Sequence, residues 1–193
     1  MVVNKGITIA GKGLREHLEA INHKEAIDFI KDIAQKKEPI SERVLLDIHA
    51  IVLHSIDKDN AGKYRRVPVI ISGSKHIPPQ PYLLQPKMDE LFQWYEANKD
   101  SIHPVVLAAQ MHEKLVSVHP FIDGNGRTAR LLMNLILMQH GYPIANIKGD
   151  NETRRRYYET LEEASSGDNS AFLEFIEGVV IQSLTYYLKI IRG

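Results

Sequence analysis

Apolar residues recur at intervals of three and four along most of this chain, which is the pattern of amphipathic helices. Leu14, Leu18 and Ile21 begin a run of this kind that predicts a helix over about 13–35. A second helix is expected after Ser41, a suitable N-cap, and carries apolar residues as far as Val52. Five further helices are predicted over about 81–98, 104–117, 125–140, 151–166 and 169–191.

Residues 67–79 break the helical pattern. The segment from Val67 to Ile71 is short and β-branched, Ser72–Ser74 resembles a turn, and the second arm ends in two prolines. This pattern predicts a small β-hairpin flap at an edge, and a short strand is also expected at 7–9. The expected fold class is therefore all-α with one short β-hairpin flap.

Length and composition narrow the class of protein. A chain of 193 residues is expected to form a single domain over 1–193. Lys+Arg and Asp+Glu both number 24, so the net charge is zero. The overall charge therefore does not favour nucleic acid or an anionic membrane as a partner. The sequence has no cysteine, which excludes disulfides and thiol nucleophiles. With no signal peptide or apolar span in the pattern, we expect a cytoplasmic protein without membrane or nucleic-acid partners.

The segment 119–130, which lies between two predicted helices, is typical of a phosphate-binding loop. Gly124 and Gly126 allow a ligand to approach the main chain closely, and the helix that follows begins with N–H groups that lack partners. Arg127 and Arg130 are three residues apart and so share one face near the start of that helix. Two guanidinium groups beside free amides suit a polyphosphate.

Two other side chains in this segment could supply chemistry. Asp123 precedes the glycines, where a carboxylate can anchor Mg²⁺ next to phosphates. His119 ends the previous helix, where an imidazole could accept a proton from a hydroxyl. The residues alone indicate a phosphate-binding loop with an adjacent base, and they leave open an ordinary turn with a capping histidine.

The same segment resembles the signature of the Fic family, His-x-Phe-x-Asp/Glu-Gly-Asn-Gly-Arg-x-x-Arg. Every specified position is filled, by His119, Phe121, Asp123, Gly124, Asn125, Gly126, Arg127 and Arg130. Similar stretches occur at 61–65, 76–79, 131–143 and 157–168, so the resemblance covers a core of about 13–180. The chain resembles the branch that includes the animal endoplasmic-reticulum Fic protein and bacterial relatives.

This resemblance implies transfer of AMP from ATP to a Ser, Thr or Tyr hydroxyl of a target protein, with release of pyrophosphate. It implies that His119 is the general base and that Asp123 holds Mg²⁺ on the phosphates. The residues implied to bind ATP are Lys75, His76, Gly124, Asn125, Gly126, Arg127, Thr128, Arg130, Tyr157 and Tyr158. Phe121 is expected to point into the core.

The resemblance also concerns partners. The hairpin at 67–79 matches the family's flap, which implies that a target protein docks there by main-chain pairing, although a plain surface hairpin is the alternative. Ser165 stands where related chains often have Asn, which puts one contact to the nucleotide in doubt. The sequence leaves open whether a homodimer forms.

Many family members carry an inhibitory helix with the pattern Ser/Thr-x-x-x-Glu-Gly/Asn. The nearest match is Glu177-Gly178, but Leu173 takes the Ser/Thr position, so we interpret this match as a coincidence. We expect an enzyme that is constitutively active or restrained by a partner, and that transfers AMP and does not remove it.

Three alternatives to AMP transfer remain. A Doc-like kinase has the same fold but usually departs from the second motif glycine, which is intact here as Gly126. Transfer of another nucleotide is not excluded, since the sequence does not reveal base selection. A non-enzymatic nucleotide-binding or antitoxin-like module would not need His119. The basic run at 154–156 is interpreted as a solvated helix face.

Overall fold

The computed structural model describes residues 13–192, and this part of the chain is mainly helical. Its α-helices are α1 (Leu14–Lys36), α2 (Glu42–Leu53), α3 (Leu84–Asn98), α4 (Pro104–Val118), α5 (Asn125–Gln139), α6 (Asn151–Ser165) and α7 (Ser170–Arg192). Every predicted helix is present, with ends within about three residues of the prediction. Within 13–192, no helix combines the length and the apolar character needed to cross a bilayer. The strand predicted at 7–9 lies outside the described residues.

Local signals in the sequence begin and end several of these helices. The Ser41 side chain accepts a hydrogen bond from the Val44 N–H at 3.4 Å, which caps α2 as predicted. The Asp150 carboxylate does the same for the Thr153 N–H at 2.9 Å and caps α6. Gly141 follows α5 with a φ of 82°, a left-handed conformation that favours glycine.

Helix α5 is the central element of the bundle. It packs against α1, α2 and α4, while α7 packs against α4 and α6, and α3 covers α4. Seven residues from Leu131 to Leu137 are all buried, because the helix has neighbours on several sides. The N-terminus of α5 is therefore held by the surrounding helices, and the signature segment lies at this end.

The predicted β-hairpin is not present. Residues 67–79, called the flap loop below, contain a turn at Ser72–Gly73 but no strand. Three prolines explain the difference, since Pro68, Pro78 and Pro79 have no N–H to donate to a ladder. The flap loop is instead held by side chains from other parts of the chain.

Candidate active site

A cavity of about 970 Å³ lies between the flap loop, α4, the N-terminus of α5 and α6. Ten of the twelve residues that the resemblance assigns to the site line it, namely His76, His119, Asp123, Gly124, Asn125, Gly126, Arg127, Arg130, Tyr157 and Tyr158. Two others do not. The Thr128 side chain is buried inside the fold, because its position on α5 faces away from the opening, and the Lys75 side chain is not part of the wall.

His119 lies at the junction between α4 and the signature loop. It ends α4 in the left-handed conformation (φ 49°, ψ 57°), which is uncommon for a residue with a side chain and indicates local strain. Its Nδ1 lies 3.3 Å from the carbonyl of Val116, so Nδ1 carries the proton and Nε2 is left as the basic atom. Burial lowers the pKa of His119 below 6.5, and the positive charge of Arg65 adds to this effect. The imidazole is therefore neutral near pH 7 and able to accept a proton.

The start of α5 offers unpartnered amides to the cavity. The first intrahelical bond runs from the Thr128 N–H to the Gly124 carbonyl at 2.9 Å, so the N–H groups of residues 125–127 precede it. No side chain caps this end, and Gly124 has a φ of 81°. Free amides at the positive end of a helix dipole form a site for an anion, here with Arg127 and Arg130 beside it.

The side chain of Asn125 stabilises the loop itself. Its Oδ1 accepts a hydrogen bond from the Phe121 N–H at 2.9 Å, and its Nδ2 donates to the Phe121 carbonyl at 2.8 Å. Both ends of the amide are used within the loop, and the residue is only 3% exposed. Phe121 is fully buried, as predicted. Asn125 thus contributes to the cavity through its backbone.

His49 on α2 supports the same loop from below. Its Nδ1 accepts a hydrogen bond from the Gly62 N–H at 3.0 Å, so its Nε2 carries the proton and donates to the Asp123 carbonyl at 3.0 Å. The ring stacks on Phe121 with centroids 3.6 Å apart. Burial lowers the pKa of His49 to about 4, which keeps it neutral. The loop is therefore fixed by a residue far away in sequence.

Asp123 belongs to a group of charged side chains at the mouth of the cavity. Its carboxylate contacts Arg127 at 3.2 Å and Arg15 of α1 at 2.6 Å. Glu19, one turn after Arg15, lies 3.4 Å from the same Arg127. Helix α1 thus brings one cation and one anion to the two motif side chains implied to handle metal and phosphate.

The residues present fit a Mg²⁺ ion that is shared with a nucleotide. Within 13–192, no group of three or more His, Asp or Glu side chains could hold a metal ion by itself. Asp123 is partly exposed at the cavity mouth, next to the free amides of α5. Mg²⁺ takes few protein carboxylates and completes its shell with phosphate oxygens and water, so one carboxylate beside a phosphate site is sufficient.

The two adjacent tyrosines of α6 differ in their environment. Tyr158 is 55% exposed and lines the cavity. Tyr157 is only 4% exposed, and its hydroxyl lies 3.1 Å from His112 and 3.5 Å from Arg130. Tyr157 is thus a core aromatic that also lines the cavity.

Glu162 of α6 holds the tip of the flap loop over the cavity. One carboxylate oxygen accepts from the Ser74 hydroxyl at 2.5 Å, and the other accepts from the Lys75 N–H at 2.8 Å. His76 Nε2 donates to the Ser117 carbonyl of α4 at 2.7 Å. The tip of the flap loop is therefore bound to both walls of the cavity.

Arg65 holds the base of the flap loop. Its guanidinium donates to the carbonyls of Val67 at 3.1 Å and Pro79 at 2.6 Å, which are the two ends of the loop. Its Nε donates to the His119 carbonyl at 2.9 Å. Arg65 is only 3% exposed, so these bonds are shielded from water. One buried side chain thus connects the flap loop to His119.

Sequence reasoning missed several of these supporting residues. Arg15, Glu19, His49 and Glu162 stand outside the signature, and no local spacing connects them to it. Arg65 closes the stretch 61–65 that carried part of the resemblance, which was the one available signal. Glu177 lies on the exposed face of α7 and does not line the cavity.

The sequence is similar to a known protein family and to curated members of it. The family model described as "Fic/DOC family" matches residues 39–137. Two curated relatives, both named "Protein adenylyltransferase Fic", match 97% of this chain: one from Nematostella vectensis is 37% identical and one from Drosophila grimshawi is 38% identical. The chain covers 43% and 38% of these relatives, so it spans about two fifths of their length.

Solved structures agree with the sequence comparison. Fic-1 from C. elegans superposes with a TM-score of 0.85 at 34% identity, over 98% of this chain and 56% of that one. A Fic domain containing signaling protein from Bacteroides thetaiotaomicron gives a TM-score of 0.79 at 30% identity, over 94% of this chain and 75% of that one. The helical arrangement is thus shared between the animal and the bacterial protein.

Proposed function

This chain belongs to the Fic/DOC family, and on that premise we propose that it is a protein adenylyltransferase. It transfers AMP from ATP to a Ser, Thr or Tyr hydroxyl of a target protein and releases pyrophosphate. Relatives named as protein adenylyltransferases, at 37–38% identity over 97% of the chain, support this activity.

The proton acceptor in the proposed reaction is Nε2 of His119. The hydroxyl oxygen of the target attacks the α-phosphorus of ATP, the bond from that phosphorus to the α,β-bridging oxygen breaks, and pyrophosphate leaves. The hydroxyl proton passes to Nε2, which is unprotonated because Nδ1 faces the Val116 carbonyl and burial lowers the pKa of His119. Arg65 holds the backbone carbonyl of His119, and the Val116 carbonyl holds the ring.

The phosphates of ATP lie against the start of α5 in this proposal. The N–H groups of residues 125–127 bind phosphate oxygens, and Arg127 and Arg130 neutralise the β- and γ-phosphates, which stabilises the departing pyrophosphate. Asp123 would hold a Mg²⁺ ion. When bound, such an ion would neutralise part of the phosphate charge.

The nucleoside and the target occupy the remaining walls. The adenosine is directed toward Tyr158 and His76, at the end of the cavity between α6 and the flap loop. The exposed main chain of the flap loop, with Ile70 at 92% and Ile77 at 81% exposure, offers free backbone groups and apolar contacts to a protein segment. This arrangement would bring the acceptor side chain next to His119.

One observation carries the proposal, namely a neutral imidazole at the rim of a cavity whose floor is a row of free helix N–H groups. A module that only bound nucleotides would need the amides but not the base. Gly126 also favours AMP transfer over a Doc-like kinase reaction. A Cβ at this position would lie 3.4 Å from Arg130 Nη1, so position 126 lies directly beside that arginine.

The test is intact-protein mass spectrometry of the chain after incubation with ATP and Mg²⁺, with His119→Ala as the matched control. We expect a gain of one AMP on the wild-type chain and none on His119→Ala, while both proteins bind ATP equally in a calorimetric titration. A cell lysate with labelled ATP is included as the source of targets, in case the chain does not modify itself.

Other results would overturn the proposal. A mass gain of one phosphate would assign the kinase reaction. Equal AMP transfer by wild type and His119→Ala, on the chain or in the lysate, would remove His119 from the role of base. ATP binding without transfer in both assays would assign a nucleotide-binding module.

A further inference from the structure

A series of hydrogen-bonded polar side chains runs from the core to the part of the cavity next to the start of α5. The Tyr157 hydroxyl lies 3.1 Å from Nε2 of His112 and 3.5 Å from Nη1 of Arg130. His112 has no exposed surface and Tyr157 is 4% exposed, whereas Arg130 lines the cavity. Three helices contribute to this series of side chains, since His112 is on α4, Arg130 on α5 and Tyr157 on α6.

The direction of the hydrogen bonds follows from the chemistry of the three groups. An arginine can only donate, so the Tyr157 oxygen accepts from Arg130 and its own hydrogen points to His112 Nε2. That bond requires an unprotonated Nε2. Burial lowers the pKa of His112 to about 3, which keeps the imidazole neutral. Because Nε2 accepts from Tyr157, the one ring proton is on Nδ1.

Packing alone does not explain why position 112 is a histidine. Its Nδ1 is buried without a hydrogen-bond partner, and a buried polar atom without a partner destabilises a fold. The ring lies between Tyr157, at 75° and 5.7 Å, and Phe172, at 27° and 5.2 Å, where an apolar ring would avoid this loss. The atom that does have a partner is the one that holds the Tyr157 hydroxyl.

Arg130 needs such a support more than Arg127 does. Arg127 contacts two carboxylates, those of Asp123 and Glu19, whereas Arg130 has no carboxylate partner between residues 13 and 192. The Arg130 guanidinium lies near the ring of Tyr157, with its Cζ 5.8 Å from the ring centroid. A flexible side chain that is already oriented loses less entropy when a ligand binds.

We infer that Tyr157, oriented by His112, is a positioning residue that orients Arg130 toward the outer phosphates of a nucleotide. This inference deepens the proposed function and depends on its assignment of Arg130 to the β- and γ-phosphates. It predicts that the Tyr157 hydroxyl contributes to the binding of ATP but not of AMP, which lacks both outer phosphates. A residue that only filled the core would affect both nucleotides equally.

The experiment measures dissociation constants of ATP and AMP for wild type, Tyr157→Phe, Arg130→Ala and the double variant. Tyr157→Phe keeps the ring and is expected to weaken ATP binding about threefold to tenfold, with AMP binding unchanged. On the Arg130→Ala background the same change is expected to have no further effect. Tyr95→Phe is the matched control, because it removes a hydroxyl from another buried tyrosine outside the cavity. Thermal unfolding of each variant checks that the fold is intact.

Two failures can be told apart. If Arg130→Ala weakens ATP relative to AMP but Tyr157→Phe weakens both nucleotides alike or neither, the inference is wrong and the phosphate assignment stands. If Arg130→Ala leaves the ratio of ATP to AMP affinity at the wild-type value, the assignment of Arg130 in the proposed function is wrong, and the inference falls with it. Should Tyr157→Phe unfold, His112→Gln gives the same comparison, because it removes the other hydrogen-bond partner of the Tyr157 hydroxyl.

Discussion

The guanidinium of Arg15 lies 2.6 Å from the carboxylate of Asp123, although 108 positions separate the two residues in sequence. Arg15 also contacts Glu19 at 3.3 Å, and Glu19 contacts Arg127 at 3.4 Å. Helix α1 therefore supplies opposite charges to the two motif side chains that a metal–nucleotide complex would use. Binding of that complex would replace the contacts of Arg15 and Glu19 with contacts to the metal and the phosphates.

Removing Arg15 is expected to ease the binding of Mg²⁺. In Arg15→Ala the Asp123 carboxylate loses the cation that competes with Mg²⁺ for it. Because exposed ion pairs of this kind are weak, the apparent affinity for Mg²⁺ should increase only about twofold to fivefold. The measurement is the Mg²⁺ concentration that gives half-maximal ATP binding, followed by calorimetry at low salt. Lys24→Ala is the control, since it breaks another exposed pair of α1, with Asp28. A Mg²⁺ requirement that stays equal in all three proteins would contradict the prediction.

The pH dependence of transfer is expected to reflect His119. Burial, together with the charges of Arg65 and His76, lowers its pKa below 6.5, and the unprotonated ring is the active form. The rate should therefore decline as the ring gains a proton, with its half-maximal point below pH 6.5. Transfer followed by intact mass at saturating ATP measures this profile. A rate that has already fallen to half at about pH 7 would show that another group controls the reaction.

Gly124 is expected to tolerate a side chain less well than Gly141. Both have a left-handed φ, 81° and 82°, but a Cβ at Gly124 would lie 3.3 Å from Val52 and 3.4 Å from His49, whereas a Cβ at Gly141 meets nothing within 4 Å. Gly141→Ala should lower the free energy of unfolding by about 1–2 kcal/mol through backbone strain alone. Gly124→Ala should lower it by about 1 kcal/mol more.

Urea unfolding of both variants measures the difference between these two positions. His49 cannot move aside easily, because its two nitrogens are held by Gly62 and Asp123. Equal losses in the two variants would mean that the loop relaxes around the added methyl group, and that the contact with His49 is not restrictive.

Loss of Glu162 is expected to release the tip of the flap loop. Glu162→Ala removes the acceptor of the Lys75 N–H and the Ser74 hydroxyl, so hydrogen exchange at the Lys75 amide should increase about tenfold. Exchange measured by NMR tests this, with Glu163→Ala as the control, since that neighbouring carboxylate makes no hydrogen bond to the flap loop. Unchanged exchange at Lys75 in Glu162→Ala would show that other contacts, such as His76 with Ser117, hold the tip.

The helices could be predicted because their signals are local. The spacing of Leu14, Leu18 and Ile21, the cap at Ser41 and the stop at Gly141 each act within a few residues. The location of the candidate site was also predictable, since ten of the twelve site residues named from the sequence line one cavity, while their roles stay predictions. Thr128 does not, because its place on the helix turns it toward the core.

The supporting contacts could not be predicted because they join distant parts of the chain. Glu162 and Ser74 are 88 positions apart, and Arg65 and His119 are 54 apart. The flap loop illustrates the same limit, since its β-branched residues favour a strand while its prolines exclude the ladder. What orders this loop is the set of side chains around it, which no local pattern reveals.

The bonds of Arg65 have a mechanical consequence. A single rigid, planar group is attached to both ends of the flap loop and to the backbone of His119. A force on the loop would therefore also act, through this group, on the backbone of the histidine. In the proposed reaction, docking on the loop and proton transfer would thus be coupled through one side chain, and a poorly fitting partner would misalign the base as well as its own hydroxyl.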